Sequence, residues 1–326
     1  MVSYTPVIAP VPPITHRSDR VIFHGSIRVD TMKVLLAEYT TAHDPVLAHE
    51  GRTMLSVLRG SFERCGYEVV LPDNSDFSGE IERLAPVCEM GLVIAPDEML
   101  SKFTMILEQH THNLGSGFMS VALCANKVQT RKILAQNGIC IPEDTSAGKQ
   151  VIKPVRGCGA RGVRLSEGEP GEGEFAERYI EGEHLSVSIV ANRIIGDACQ
   201  YFTGNPPAVL AVNRQEIRID TDGFFHYLGG ETPVHPEREE EIITTAKKVI
   251  EVLGCQGYCG VDMVVADKVY VIEVNPRITT SLVGIASCMK EEIADILVAA
   301  SKGQGPDSVH LTGRVQFDKY GKVIPV

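Results

Sequence analysis

The sequence predicts an α/β (α+β) protein in which a small parallel α/β unit precedes a longer run of mixed helices and antiparallel strands. Two observations set this expectation. Between residues 33 and 110, short apolar runs alternate with amphipathic helical stretches, the pattern of a parallel sheet with helices on its faces. Beyond residue 150, short β-branched runs follow one another with little but glycine-rich turns between them, which favours antiparallel pairing.

Taken in order, KVLLAE at 33–38 is a buried-strand pattern, and Met54, Leu55 and Leu58 mark a helix that Gly66 stops. YEVVL at 67–71 is a second strand, IERLAPVCE at 81–89 a helix, GLVIAP at 91–96 a third strand, and EMLSKFTMILEQH at 98–110 an amphipathic helix. Residues 118–138 form two helical stretches broken near Asn126 and closed by Gly138. VIKP at 151–154, GVRL at 162–165, FAERYI at 175–180 and HLSVSIVA at 184–191 make an antiparallel pattern around an exposed acidic loop at 167–174. IIGDACQYF and AVLAVN add strands. A long helix over 236–253 ends at Gly254, and GVDMVVAD and KVYVIEVN pair through a turn at Asp267–Lys268. EEIADILVAASKG is the last helix.

The 326 residues carry a formal charge of −11 with no Lys/Arg cluster to offset it, which argues against a nucleic-acid groove. No apolar run reaches membrane-spanning length. Nine cysteines, an odd number with no Cys-x-x-Cys spacing, suit reduced thiols and a cytoplasmic setting. Residues 1–31 are Pro-rich and read as a flexible leader before a fresh start at Met32. A homodimer is the default expectation for assembly.

Two segments carry the chemistry. In GYCGVDMVVADKVYVIEVNPR at 257–277, two adjacent strands each present an acid, Asp262 and Glu273, with Asn275 on the same face as Glu273. Carboxylate and amide oxygens are hard ligands suited to Mg²⁺ shared with phosphates, and acids inside apolar strands are costly without a cation or partner. In VIKPVRGCGARGVRL at 151–165, a strand ends at Lys153 and a loop with Gly157, Gly159 and Gly162 returns. Glycines let backbone N–H groups approach phosphate oxygens, Lys153 adds a point charge, and Arg161 at the loop tip is placed to close over a terminal phosphate. Weaker signals are Lys127 at a helix start and the strand FAERYIEGEHLSV at 175–187. The backbone at Arg178–Ile180 suits a nucleotide base there, with Glu183 or His184 facing a ribose.

In this order and spacing, these pieces resemble the ATP-grasp superfamily. The resemblance implies two α+β subdomains gripping ATP after a small parallel α/β domain, with boundaries at 32–117, 118–183, 184–300 and a tail at 301–326. It implies that Lys127 and Lys153 hold the α- and β-phosphates and that the loop over Gly157, Gly159 and Gly162 covers them. The strand with Glu177, Arg178, Tyr179, Ile180, Glu183 and His184 would hold adenine and ribose, and Asp262, Glu273 and Asn275 would bind two Mg²⁺, or Mn²⁺ in their place. The family's usual arginine two residues before the first metal aspartate is here Gly260. NLGS at 113–116, EGEHLSVS at 181–188, AVNRQ at 211–215 and YLGGETPV at 227–234 are similar to the branch of that superfamily that joins tyramine to L-glutamate in methanofuran biosynthesis. That likeness implies small-molecule acid and amine substrates, with Asn213, Arg214 and Gln215 as substrate residues and Arg277, Arg161 and Lys153 as catalytic ones. Rival readings are a ligase for another acid–amine pair and a non-catalytic nucleotide sensor.

Overall fold

A four-stranded parallel sheet, with order β2-β1-β3-β4, opens the fold. The computed structural model describes residues 31–73, 76–145, 148–193 and 205–326, with the backbone of 195–196 and 201–202; residues 1–30 of the expected leader and Cys199 lie outside the described residues. β1 (Lys33–Glu38) is buried almost throughout and pairs in parallel with β2 (Glu68–Val70) and β3 (Met90–Ile94), and β4 (His112–Asn113) pairs in parallel with β3. The connections run through α1 (Thr40–His43), α2 (Ala48–Arg64), α3 (Phe77–Leu84) and α4 (Asp97–Glu108), as the strand–helix alternation predicts. The helix expected at 81–89 starts earlier, where the Asp76 side chain accepts a hydrogen bond from the Gly79 N–H. It ends at Leu84, because Pro86 cannot donate and residues Ala85–Val87 tighten into a 3₁₀ turn.

α5 (Phe118–Cys124) and α6 (Lys127–Gln136) are split at Asn126, whose side chain accepts from the Gln129 N–H at 3.1 Å as an N-cap. β5 (Gln150–Pro154), β6 (Arg164–Ser166) and β7 (Glu174–Arg178) then form a three-stranded antiparallel sheet, with order β6-β5-β7.

β8 (Glu183–Ala191) does not join that sheet, although its sequence pattern groups it with the preceding strands. It is buried from Leu185 to Ala191 and lies between two neighbours in a seven-stranded sheet. A strand covered on both faces reads as a continuous apolar run, which sets HLSVSIVA apart from the half-exposed β6. β9 (Ile195–Gly196) and β10 (Tyr201–Phe202) pair separately. The large sheet also holds β11 (Ala208–Ile219) and β12 (Phe225–Thr232), and after α7 (Glu239–Leu253) come β13 (Gly257–Val265) and β14 (Val269–Asn275). α8 (Ser281–Cys288) is missing from the sequence expectation. Its eight residues are apolar on most sides and largely buried, so they show no 3.6-residue contrast. α9 (Ile293–Ser301) follows, and β15 (Val315–Asp318) and β16 (Val323–Pro325) complete the sheet edge from residues expected as a tail. One core cluster gathers Leu58, Phe62, Leu282, Ile285 and Leu297 between helices and sheets; another packs Ile242, Val249 and Ile250 of α7 on Leu185, Val187 and Val261.

α6 is tied to the three-stranded sheet by a buried charge cluster. Glu177 on β7 is 2% exposed, and its Oε1 takes the Lys153 Nζ at 2.5 Å. Its other oxygen takes the Arg131 guanidinium, which also reaches the Pro142 carbonyl and Asp144 Oδ1, both at 2.7 Å. The cluster orients Lys153. Removing the anion leaves two buried cations facing one another, so Glu177→Ala should cost roughly 3–5 kcal/mol. Urea unfolding checks this; a loss under about 1 kcal/mol would contradict it.

Candidate active site

All three larger sheets contribute walls to one cleft with ≈ 230 Å³ of open space. One water needs only about 10–15 Å³ on that scale, so the cleft has room for an organic ligand. Its floor is the β13–β14 pair. The register sets Asp262 directly opposite Glu273 and Gly260 opposite Asn275, with an irregularity just after Asp262. The three oxygen-bearing side chains therefore meet on one face. Asn275 Nδ2 donates to Asp262 Oδ2 at 3.0 Å, and Gln215 Nε2, from β11, donates to Asp262 Oδ1 at 3.0 Å. Gly260 leaves room at this corner, since a Cβ there would lie 2.9 Å from Thr279 Cγ2.

Cations approach the floor from two sides. Lys127 Nζ is 2.7 Å from Glu273 Oε1 and donates to the Gly157 carbonyl at 2.6 Å. A lysine at the first position of a helix sits at the unfavourable end of the macrodipole, and Glu273 offsets that. Arg277 donates through Nε to Asp97 Oδ1 at 2.5 Å and through Nη2 to Asn275 Oδ1 at 3.1 Å.

These contacts shift the titration of Asp262, Lys127 and Arg277. Burial, followed by the charge of Glu273, pushes the Asp262 carboxyl up to about 7, against the opposing hydrogen bond of Asn275 and the charge of Arg277. For Lys127, burial pulls down, but attraction to Glu273 and the hydrogen bond between them hold the ammonium above its ordinary range. For Arg277, burial is again opposed, chiefly by Asp97, and the guanidinium stays charged. Burial, then the charge of Lys153, pulls His184 below the usual imidazole value, so it is neutral at pH 7.

The loop after β5 forms the roof. Gly157, Gly159 and Gly162 have φ of 133°, 68° and 72°, and Ala160 joins them at 58°; three of these four left-handed positions are glycines because a Cβ strains that region. Cys158, Gly159 and Ala160 line the cleft. Beyond them Pro142, Val151, Tyr179, Ile180, Val264 and Ile272 form an apolar end with His184 beside it.

The profile of the ATP-grasp domain family matches residues 124–281. A solved structure described as an ATP-grasp superfamily protein from Archaeoglobus fulgidus superposes with a TM-score of 0.72 at 27% identity, covering 88% of this chain and 92% of that one. Residues 124–281 are an ATP-grasp domain. Curated tyramine–L-glutamate ligases from Methanocaldococcus fervens and Methanocaldococcus jannaschii are 31% and 30% identical over 64% of the chain. The match covers 65% and 62% of those two proteins, less than two thirds of their length.

Of the residues singled out in the sequence, this cleft gathers Lys153, Gly159, Glu177, Arg178, Tyr179, Ile180, His184, Gln215, Asp262, Glu273, Asn275 and Arg277 along its lining, with Lys127 bound to Glu273 just behind. Others stand elsewhere. Glu183 alternates to the opposite face of β8 from His184 and pairs with Arg214 at 2.8 Å, so His184 is the member of that pair in the cleft. Arg214 is held between Glu183 and Glu231. Asn213 is buried and donates to Ser186 and to Ser188 Oγ, at 3.0 Å for the latter. Arg161, expected to reach toward phosphate, pairs with Asp44 at 3.0 Å and fastens the roof to the chain just before α2. Glu177 does line the cleft, with its carboxylate occupied by Lys153 and Arg131.

The sequence reading missed Asp97, Glu50 and Tyr227. Asp97 begins α4 directly after β3 and Pro96, at the carboxyl end of a parallel strand where α/β sheets form crevices; that position is the signal that could have found it. Two carboxylates and an amide oxygen suit a hard divalent cation. The raised Asp262 carboxyl fits as well, because burial and then the charge of Glu273 hold it up, and such a cation offsets both. The described residues hold no cluster of three His, Cys, Asp or Glu able to bind a metal, so a cation on this trio would draw its other ligands from water or a bound phosphate. Without cations, a carboxyl titrating higher in the folded chain than in the unfolded one keeps its proton longer when folded. Stability should therefore fall as pH rises from about 4 to about 7, by roughly 2–4 kcal/mol, and Asp262→Asn should remove that slope. Denaturant melts across pH in a chelator test this; an unchanged slope in the variant would contradict it.

Proposed function

We propose that this chain is an ATP-dependent carboxylate–amine ligase that forms an amide through an acyl phosphate and releases ADP and phosphate. The observation that carries the reading is the convergence of Asp262, Glu273 and Asn275 with Lys127, Lys153 and Arg277 beneath a glycine loop. A carboxylate resists nucleophiles because it is already anionic, and phosphorylation gives it a good leaving group. Phosphoryl transfer asks the protein for alignment and charge neutralisation rather than covalent help.

Each residue has a role in that scheme. The apolar end from Val151 to Ile272 takes the base, and neutral His184 faces the ribose. Lys153, oriented by Glu177, meets phosphate oxygens, and the loop from Gly157 to Gly162 covers them and excludes water from the acyl phosphate. Lys127 holds Glu273 in place and ties it to the roof. Asp262, Glu273 and Asn275 would hold Mg²⁺, a pair in the fullest form of the reading, which supplies positive charge against the phosphates when bound. Arg277, fixed by Asp97 and Asn275, presents a guanidinium to the carboxylate being activated.

The relatives named tyramine–L-glutamate ligase support a finer reading, in which the γ-carboxylate of L-glutamate is joined to tyramine. Purified protein should release ADP from MgATP only when L-glutamate and tyramine are both present; release with other pairs alone would reassign the substrates. Glu273→Gln should lower that rate by about 100-fold or more. Full activity in this variant would remove the trio from the mechanism.

A further inference from the structure

One charged side chain in the cleft has no task in this scheme. Glu50 stands on α2, and Leu47, Glu50, Gly51 and Met54 line the cleft together. Their spacing of three, four and seven residues is one face of a helix. A carboxylate is thus set within a stripe whose neighbours one turn away are Leu47 and Met54. Its Oε1 accepts a hydrogen bond from the Thr280 hydroxyl, which is itself buried. Among the described residues Glu50 forms no ion pair with a lysine, arginine or histidine. Arg277 acts on it through space but spends its own hydrogen bonds on Asp97, Asn275 and the Ile278 carbonyl. Tyr227 faces the same space, and burial, then the charge of Glu50, holds its phenol well above the usual range, so it remains a neutral hydroxyl.

Charge decides what suits this spot. A phosphate or a free carboxylate is repelled by Glu50 and drawn instead to the cations of the cleft, Lys153 and Arg277. A cation is favoured, and the flanking Leu47 and Met54 favour one carried on an apolar body. An α-amino acid fits poorly, since its ammonium brings a carboxylate along beside Glu50 in an apolar wall. A simple primary amine with an aromatic body meets all of these conditions.

We propose that Glu50 determines specificity for the amine substrate by binding its ammonium group, while Leu47, Met54 and Tyr227 enclose the apolar body. This rests on the ligase reading and adds the class of amine and the residue that selects it. It also divides the cleft by charge. Anions are handled from the β13–β14 floor, and the amine is handled from α2.

The test compares wild type and Glu50→Gln in ADP-release kinetics with tyramine, L-glutamate and MgATP. A charge-assisted hydrogen bond predicts a KM for tyramine raised roughly ten- to a hundredfold, with the KM values for L-glutamate and ATP within about twofold of wild type. A rise confined to L-glutamate, or no rise for either substrate, would overturn the proposal. Wild type alone gives a second measurement that needs no variant. Phenethylamine should compete with tyramine at least about tenfold more strongly than the uncharged alcohol of the same shape, and equal competition would count against Glu50. If wild type shows no tyramine-dependent ADP release, the ligase reading fails on its own terms. Calorimetric titration of phenethylamine into wild type and Glu50→Gln then decides the ammonium site separately, since equal affinities would overturn it.

Discussion

Repulsion between Asp262 and Glu273 is the constraint around which the site is organised. Antiparallel register puts the two acids opposite one another on neighbouring strands, and burial adds to the cost of ionising Asp262. Lys127, Asn275, Gln215 and Arg277 each answer part of that cost from a different segment. Lys127 comes from the start of α6, Gln215 from β11, and Arg277 from the end of β14, itself anchored by Asp97 on α4. The elements that neutralise the floor are therefore also the elements that enclose the cleft.

The roof obeys the same logic. Its glycine loop is fixed at one end by the bond from Lys127 to the Gly157 carbonyl and at the other by the ion pair of Arg161 with Asp44. Arg161 is about half exposed in the second contact, and ion pairs near the surface contribute little to stability. The loop can then be held down over the cleft without a large cost for opening it, which is the balance a cover over a hydrolysable intermediate requires. Lys153 is different. Its ammonium is buried against Glu177 with Arg131 on the other oxygen, so its position is set by packing rather than by a ligand.

Local pattern made much of this visible in the sequence. The strand–helix alternation gives the parallel sheet, and the acids at positions 262 and 273 with Asn275 two residues on give the floor, because strand periodicity alone fixes which side chains share a face. What stayed hidden depends on long-range pairing. HLSVSIVA looks like a fourth strand of the small sheet, and only its burial on both faces assigns it to the large one. Choosing between Glu183 and His184 needed the facing of β8, and Asn213–Arg214–Gln215 split because successive residues on β11 point apart. Asp97 and Glu50 lie about 180 and 230 residues from their partners Arg277 and Thr280, separations that no motif spacing spans. α8 was lost because a helix buried on nearly every side has no polar face to show.

The most direct measurement is a crystal structure with a non-hydrolysable ATP analogue and Mg²⁺. The account predicts the triphosphate between Lys153 and the loop at 157–162, with a cation about 2.0–2.1 Å from oxygens of Asp262 and Glu273. A nucleotide bound away from the β13–β14 floor, or a cation that leaves both carboxylates uncoordinated, would contradict it.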